Sequence, residues 1–202
     1  RKVNIWVSRP NTGTHSLDHC ISLSVLLREI LEVCKTSKEV KYILSKEQIK
    51  VDGTIRKDKN FPVGLMDTVQ IKDKFYRMLF NKQGKITPIS IKKEESNIKP
   101  KKVITKTSIK GKKLQINLFD GSNIISAKND IKTYDTLVFS EGKAKEKIDF
   151  KEGSFVYITG GRQIGKSGVL KKIEESKDFQ PKKIIFSDGK HDFETLKDHV
   201  FV

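Results

Sequence analysis

The sequence predicts an α+β protein that is mostly β-strand, with a small α+β domain, a central antiparallel β domain and a C-terminal β-barrel. Two observations lead to this fold class. Helical periodicity of the apolar residues is confined to the early part of the chain, and the remainder alternates apolar with polar residues between glycine-containing turns. No apolar run approaches the roughly 18 residues that a membrane-spanning helix requires.

Residues 1–16 are predicted to form an extended basic arm. The segment is polar and contains Arg9-Pro10-Asn11-Thr12-Gly13, in which proline and glycine favour turns over regular structure. We therefore expect the arm to contribute little apolar core of its own.

Residues 17–72 are predicted to form the α+β domain. Apolar residues recur at helical spacing as far as Cys34, which predicts an amphipathic helix from Leu17 onward. Cys20 and Cys34 would stand about 21 Å apart on this helix, too far for a disulfide, so the cysteines fit a reducing compartment.

A second helix and a hairpin complete this domain. Thr36 with Glu39 three residues later predicts a capping box at the start of the helix. Asp52-Gly53 predicts a tight hairpin turn, and Ile49 to Val51 and Ile55 are the apolar ends of its strands.

Residues 73–149 are predicted to form the central β domain, with hairpin turns at residues 81–84 and at Asp120-Gly121. Between these turns, the segment from Lys92 to Lys113 holds nine Lys against two Glu. Such a run is typical of a solvated face or a mobile loop, and RNA contact by part of it is the second hypothesis.

Residues 150–202 are predicted to form a small barrel of short strands joined by glycine turns. The loop from Gly160 to Ser167 satisfies G-x-x-x-x-G-K-[ST], the pattern of a nucleotide-binding P-loop. A P-loop precedes a helix in a parallel βαβ sheet, whereas the strands around this loop alternate with hairpin turns, which indicates antiparallel pairing. We therefore expect the glycines to serve a tight turn, and a P-loop NTPase stays as a low-ranking alternative.

Charge narrows the choice of partner. The chain has 41 Lys and Arg against 25 Asp and Glu, a formal net charge of +16. A surplus of this size favours polyanions, of which nucleic acid is the commonest. With four His and two Cys at no ligand spacing, the sequence indicates no metal site and no cofactor.

Several motifs resemble one known family, the small-subunit ribosomal proteins S-four-e of archaea and eukaryotes, with a C-terminus like the archaeal form. The matching segments occur in the family's order along nearly the whole chain: Arg9-Pro10-x-Thr12-Gly13-x-His15, Leu26-Leu27-Arg28, Val51-Asp52-Gly53-x-Ile55-Arg56-x-Asp58, Phe61-Pro62-Val63-Gly64-Leu65-Met66-Asp67 and Val156-Tyr157-Ile158-Thr159-Gly160-Gly161. The resemblance implies an S-four-type RNA-binding domain, a family-specific central domain and a KOW module, which is an SH3-like barrel.

The resemblance also implies a cytoplasmic, non-catalytic structural role in the small ribosomal subunit. Its expected partners are ribosomal RNA and neighbouring ribosomal proteins, with no membrane and no DNA. We predict that cationic side chains of the arm, the helices, the hairpin and the glycine loop contact RNA: Lys2, Arg9, His15, Arg28, Lys35, Lys38, Lys41, Lys50, Arg56, Lys57, Lys59, Arg162, Lys166, Lys171 and Lys172. A free-standing RNA-binding regulator and an accessory of an RNA-modifying enzyme stay open as alternatives.

Overall fold

The computed structural model describes residues 7–111, 113–126, 129–140, 142–174 and 182–202, so the predicted RNA contact Lys2 lies outside the described residues. The chain divides into two compact units, Arg1–Leu79 with Ile86–Lys99, and Phe80–Lys85 with Pro100–Val202. The division into the three predicted modules stays a prediction.

The helices of the first unit are short. Helix α1 (Leu23–Val25) continues into a π-helical turn (Leu26–Ile30), and helices α2 (Ser37–Ser45) and α3 (Lys93–Ser96) follow. The predicted capping box of α2 is confirmed, because the Thr36 hydroxyl accepts from the Glu39 N–H while the Glu39 carboxylate accepts from the Thr36 N–H.

The predicted helix from Leu17 is wrong in its start. Leu17–His19 forms a 3-10 turn and Cys20–Ser22 forms a strand, so Cys20 does not lie on the helix with Cys34. Ser22 ends the extended segment, and its hydroxyl accepts from the Val25 N–H as the helix cap. Both cysteines are free and buried.

The first unit contains seven strands, and the last residue of the sixth, Phe80, belongs to the second unit. They are β1 (Cys20–Ser22), β2 (Ile49–Val51), β3 (Thr54–Ile55), β4 (Pro62–Gly64), β5 (Thr68–Ile71), β6 (Lys74–Phe80) and β7 (Ile86–Ile91). β1 pairs with β4, and the others form one sheet in the order β3-β2-β5-β6-β7. Leu23, Leu27 and Leu44 from the helices pack with Ile49 and Met78 from this sheet, all at most 1% exposed.

The second unit contains two further sheets of five strands each. The first has the order β10-β9-β8-β11-β12 and the second the order β16-β15-β14-β13-β17, with these bounds: β8 (Ile98–Ile109), β9 (Lys113–Leu118), β10 (Asn123–Ser126), β11 (Thr136–Ser140), β12 (Lys143–Ile148), β13 (Phe155–Ile158), β14 (Ser167–Ile173), β15 (Lys183–Ser187), β16 (Asp192–Leu196) and β17 (Val200–Phe201). Each has its own core, around Val103 and Ile116 in the first and around Ile158 and Phe186 in the second.

These sheets confirm the predicted fold class, mostly β with antiparallel pairing and one small α+β region. Of the two structures expected for the basic stretch from Lys92 to Lys113, the mobile loop is wrong for residues 98–109, which form strand β8 in the middle of its sheet. The solvated face agrees with the structure, because most residues of β8 are exposed or half-buried. Among the described residues, no helix combines the length and apolar character that crossing a membrane would take.

Candidate RNA-binding surface

Asn11 of the arm binds the turn at residues 58–60 through both its main chain and its side chain. The Asn11 N–H donates to the Asn60 carbonyl at 2.8 Å, and the Asn11 side-chain amide donates to Asp58 Oδ2 at 2.7 Å. Asp58 Oδ1 also accepts from the Asn60 N–H at 2.9 Å, which fixes the turn itself. The described part of the arm, residues 7–16, is therefore held at this turn although it contains little regular structure.

An open depression lies where the arm meets this turn, and Arg9 and Lys59 line it together. Asn11, Asp58 and Asn60 line it as well, so the wall combines two cations with hydrogen-bonding amides. We call this the arm–turn site. Two of the predicted RNA contacts, far apart in sequence, thus meet at one surface feature.

Arg56 follows a rigid turn. Asp52 and Gly53 have φ of 50° and 74°, the left-handed values that a tight hairpin turn requires. The Arg56 guanidinium lies 4.4 Å from the centre of the Phe61 ring, a stacking that holds the side chain in place. The Nε of Arg56 is buried without a hydrogen-bond partner in the part of the chain that the structure describes.

The other predicted contacts of this unit are more dispersed. Lys35, Lys38 and Lys41 are exposed, and the two on α2 lie three residues apart on one side of the helix. Lys50 is half-buried on β2. Two side chains are paired with acids and carry less free charge: Arg28 with Glu29, and Lys57 with Glu47, each at 2.6 Å.

His15 is not a surface contact, and its prediction is corrected. The ring is buried, and Nε2 lies 2.9 Å from Asp67 Oδ2. A Cβ on Gly64 would lie 2.4 Å from the ring, so the histidine packs directly against the Gly64 main chain. His15 therefore anchors the arm in the interior and cannot meet RNA with its ring.

Asp67 is the centre of a buried charge network. Besides His15, it accepts from Lys99 Nζ at 2.6 Å and from the Gly64 N–H at 2.9 Å. Burial opposes the ionisation of Asp67, but the His15 hydrogen bond and the charge of Lys99 outweigh it and lower the pKa of this carboxyl. Lys99 also binds Asp52 at 2.6 Å, and the two carboxylates raise its pKa against the effect of burial.

Other lysines of the basic stretch likewise serve the fold. Lys101 Nζ lies 2.7 Å from Asp120 Oδ2, and Lys102 Nζ donates to the Asp198 carbonyl at 2.8 Å. Burial lowers the pKa of Lys102 to about 8. For these side chains, the hypothesis that the stretch contacts RNA is not supported by their positions.

The glycine loop is a β-turn region and not the start of a helix. β13 and β14 flank it in antiparallel register, with Tyr157 opposite Ser167, and a 3-10 turn occupies Gly161–Gln163. A Cβ on Gly165, whose φ is 77°, would lie 2.4 Å from the Asn81 carbonyl oxygen. The glycines are therefore required by a positive φ and close packing, which accounts for the P-loop pattern without a nucleotide.

The predicted contacts around this loop differ in availability. Arg162 and Lys172 are exposed, whereas Lys166 Nζ lies 3.6 Å from the centre of the Phe193 ring. Lys171 is paired with Asp192 at 2.7 Å. Among the described residues, no cluster of His, Cys, Asp and Glu could hold a metal ion.

The fold and these surfaces define a class of protein, a basic and β-rich chain with exposed cations in both units. Its glycine loop is a turn between antiparallel strands. Comparison with known proteins identifies the family within this class. The family model described as Ribosomal family S4e matches residues 72–145.

Relatives match over nearly the whole chain. The small ribosomal subunit protein eS4 of Archaeoglobus fulgidus is 39% identical over 206 residues, covering 100% of this chain and 86% of that protein. The protein of the same name from Thermoplasma volcanium is 33% identical over 204 residues, with coverage of 100% and 86%. The crystal structure of the 30S ribosomal protein S4e from Thermoplasma acidophilum has a TM-score of 0.80 and 32% identity, covering 91% of this chain and 94% of that chain. The chain belongs to the ribosomal protein family S4e, which confirms the resemblance drawn from its motifs.

Proposed function

We propose that this protein is a structural constituent of the small subunit of the cytoplasmic ribosome and that it binds ribosomal RNA. Its relatives are named small ribosomal subunit proteins, and its net charge of +16 suits a phosphate-rich partner. The observation that carries the proposal is the arm–turn site, where Arg9 and Lys59 share one depression beside hydrogen-bonding amides.

Binding at this site would combine two kinds of contact. Arg9 and Lys59 provide positive charge for phosphates, which orients RNA without reading its sequence. Asn11 is exposed, and its side chain can meet 2′-hydroxyls or exposed base edges in folded RNA. Arg56 would add a pre-positioned guanidinium, since its stacking on Phe61 leaves little side-chain freedom to lose on binding.

We further propose that the chain acts without catalysis and without a cofactor, with neighbouring ribosomal proteins as its other partners and no role for DNA. The antiparallel strands around the glycine loop support this view against a P-loop NTPase. A free-standing RNA-binding regulator would share the basic surfaces but would not stay with ribosomal subunits.

The test compares two variants that lose the same charge. Arg9→Gln/Lys59→Gln removes the cations of the arm–turn site, and Lys110→Gln/Lys143→Gln removes two exposed lysines of the second unit. We expect the first variant to bind small-subunit ribosomal RNA about tenfold more weakly and to lower the salt slope of log K by about 1.5, since each lost phosphate contact removes about 0.7–0.9. The second variant should stay close to the wild type. Equal effects of the two variants would refute the arm–turn site.

A further inference from the structure

A second open depression lies within the second unit, with a volume of about 430 Å³. Lys106, Lys132 and Lys197 line it together with Asp135, Phe150 and Ile173. None of these residues was named individually as an RNA contact from the sequence, although Lys106 lies in the basic stretch from Lys92 to Lys113, for which RNA contact was one hypothesis. From their arrangement we infer a phosphate-binding site for the RNA backbone. We call it the three-lysine site, and it rests on the proposed function.

Lys197 is held at the site by aromatic rings and by its main chain. Its Nζ lies 4.2 Å from the centre of the Tyr134 ring and 4.9 Å from that of Phe150. The Lys197 N–H donates to the Lys182 carbonyl at 2.9 Å, which brings a fourth lysine near. Among the described residues, no carboxylate lies within ion-pair distance of the Lys197 ammonium, so its charge is available to a ligand.

Tyr134 has a main-chain conformation that calls for a reason. Its φ of 74° is rare for a bulky side chain, and the surrounding contacts must offset the strain. Its hydroxyl donates to Asp198, and the ammonium groups of Lys102 and Lys197 both contact its ring. The strained residue thus holds one lysine of the site in place.

Lys106 is positioned without being neutralised. Its Nζ donates to the side-chain oxygen of Asn129 and to the carbonyl of Ile131, both uncharged acceptors. Lys132 is exposed, and its main-chain N–H donates to Asp135. In the part of the chain that the structure describes, neither ammonium group is paired with a carboxylate.

Asp135 is the single acid among the six residues named for the site, and its charge is already compensated. It is 1% exposed, and its oxygens accept from the Lys132 N–H at 2.8 Å and the Phe150 N–H at 3.0 Å. Lys147 Nζ lies 3.8 Å from the same carboxyl. The depression therefore presents net positive charge to solvent.

A bound anion would stabilise the charged form of Lys197. Burial, and then the neighbouring Lys182, lower the pKa of Lys197, so a bound negative charge would favour its protonated form. Lysine ammonium groups bind phosphate oxygens as point charges, without the fixed geometry that an arginine fork imposes. A phosphodiester of the RNA backbone satisfies these conditions and the expected partner of the whole protein.

The test uses the full chain and small-subunit ribosomal RNA. We expect Lys132→Gln/Lys197→Gln to make the plot of log K for RNA binding against log salt concentration less steep by about 1.5, because two phosphate contacts are lost. Lys110→Gln/Lys143→Gln serves again as the control of equal charge loss and should leave the slope unchanged. Lys132→Arg/Lys197→Arg keeps both cations and should restore most of the binding.

Chemical modification of the wild-type lysines tests the same inference without variants. Acylation of lysines by an amine-reactive ester should be slowed at Lys132 and Lys197 in the RNA complex but not at Lys110 or Lys143. Equal salt slopes for the site and control variants, or unchanged acylation, would overturn the inference. Equal protection by inorganic phosphate alone would make the site one for small anions and overturn the RNA assignment. Weak, salt-independent binding by the wild type would instead contradict the proposed function itself.

Discussion

At the scale of the residue, the charged side chains divide into those that hold the fold together and those that face solvent. Asp67 belongs to the first kind, because it binds His15 and Lys99 in the interior. These two partners stabilise its ionised carboxylate. Arg9 and Lys59 show the second kind at the arm–turn site. The two kinds cannot be told apart by residue type, since lysine occurs in both.

Loss of the Asp67 charge should be costly. We expect Asp67→Asn to lower the free energy of unfolding by about 2–3 kcal/mol at pH 7, because Lys99 keeps Asp52 but loses its other carboxylate, and His15 is left beside a neutral group. The measurement is urea unfolding followed by circular dichroism. As a control, Glu194→Gln breaks the exposed pair with Lys183 and should cost far less.

The stability difference between the wild type and Asp67→Asn should depend on pH, because the pKa of Asp67 is lowered in the folded state. A carboxyl with a lowered folded-state pKa adds stability above its unfolded pKa of about 3.9, and that stability is lost as the pH falls through the folded value. The gap between wild type and Asp67→Asn should therefore narrow below about pH 4. A gap that stays constant from pH 7 to pH 3 would contradict the charge network.

Sequence reasoning reached only part of this residue-level picture. It placed His15 on the surface because the neighbouring arm is polar, whereas the burial of His15 depends on Gly64 and Asp67, which lie about 50 residues away. Arg56 was predicted correctly to follow a tight Asp-Gly turn, since that turn is a local signal. Its stacking on Phe61 depends on tertiary packing, and the sequence has no signal for it.

At the scale of the element, secondary structure was predicted correctly where it depends on residues close in sequence. It was missed where charge and β-propensity indicated different structures. The capping box of α2 and the hairpin turns at residues 52–53, 81–84 and 120–121 agree with the structure because each depends on neighbours in sequence. Strand β8 was missed because its lysines suggested solvent. Its β-branched residues, such as Val103, Ile104 and Thr105, were the available signal for a strand.

The glycine loop offers a test at the same scale. We expect Gly165→Ala to cost more than about 2 kcal/mol, since a Cβ there meets both a positive φ and the Asn81 carbonyl. Gly189→Ala is the matched control, because Gly189 has φ of 91° but nothing within 4 Å of the added Cβ, and it should cost about 1 kcal/mol. Thermal and urea unfolding measure both. Equal losses would mean that packing against residue 81 is unimportant.

At the scale of the whole molecule, composition alone indicated the kind of partner. A net charge of +16 is more than the internal ion pairs can absorb, so many cations must face solvent or a polyanion. The charge did not predict where those cations meet. The arm–turn site and the three-lysine site join residues that are distant in sequence, and only the folded chain brings them together.

The most direct test of the account is sedimentation of a cell lysate through sucrose gradients at moderate and high salt, with detection of this chain. We predict that it sediments with small subunits and with whole ribosomes, and that a substantial part stays there at high salt, because simultaneous binding at the two proposed sites would exceed the affinity of either site alone. A chain found at the top of the gradient under both conditions would contradict a structural role in the small subunit.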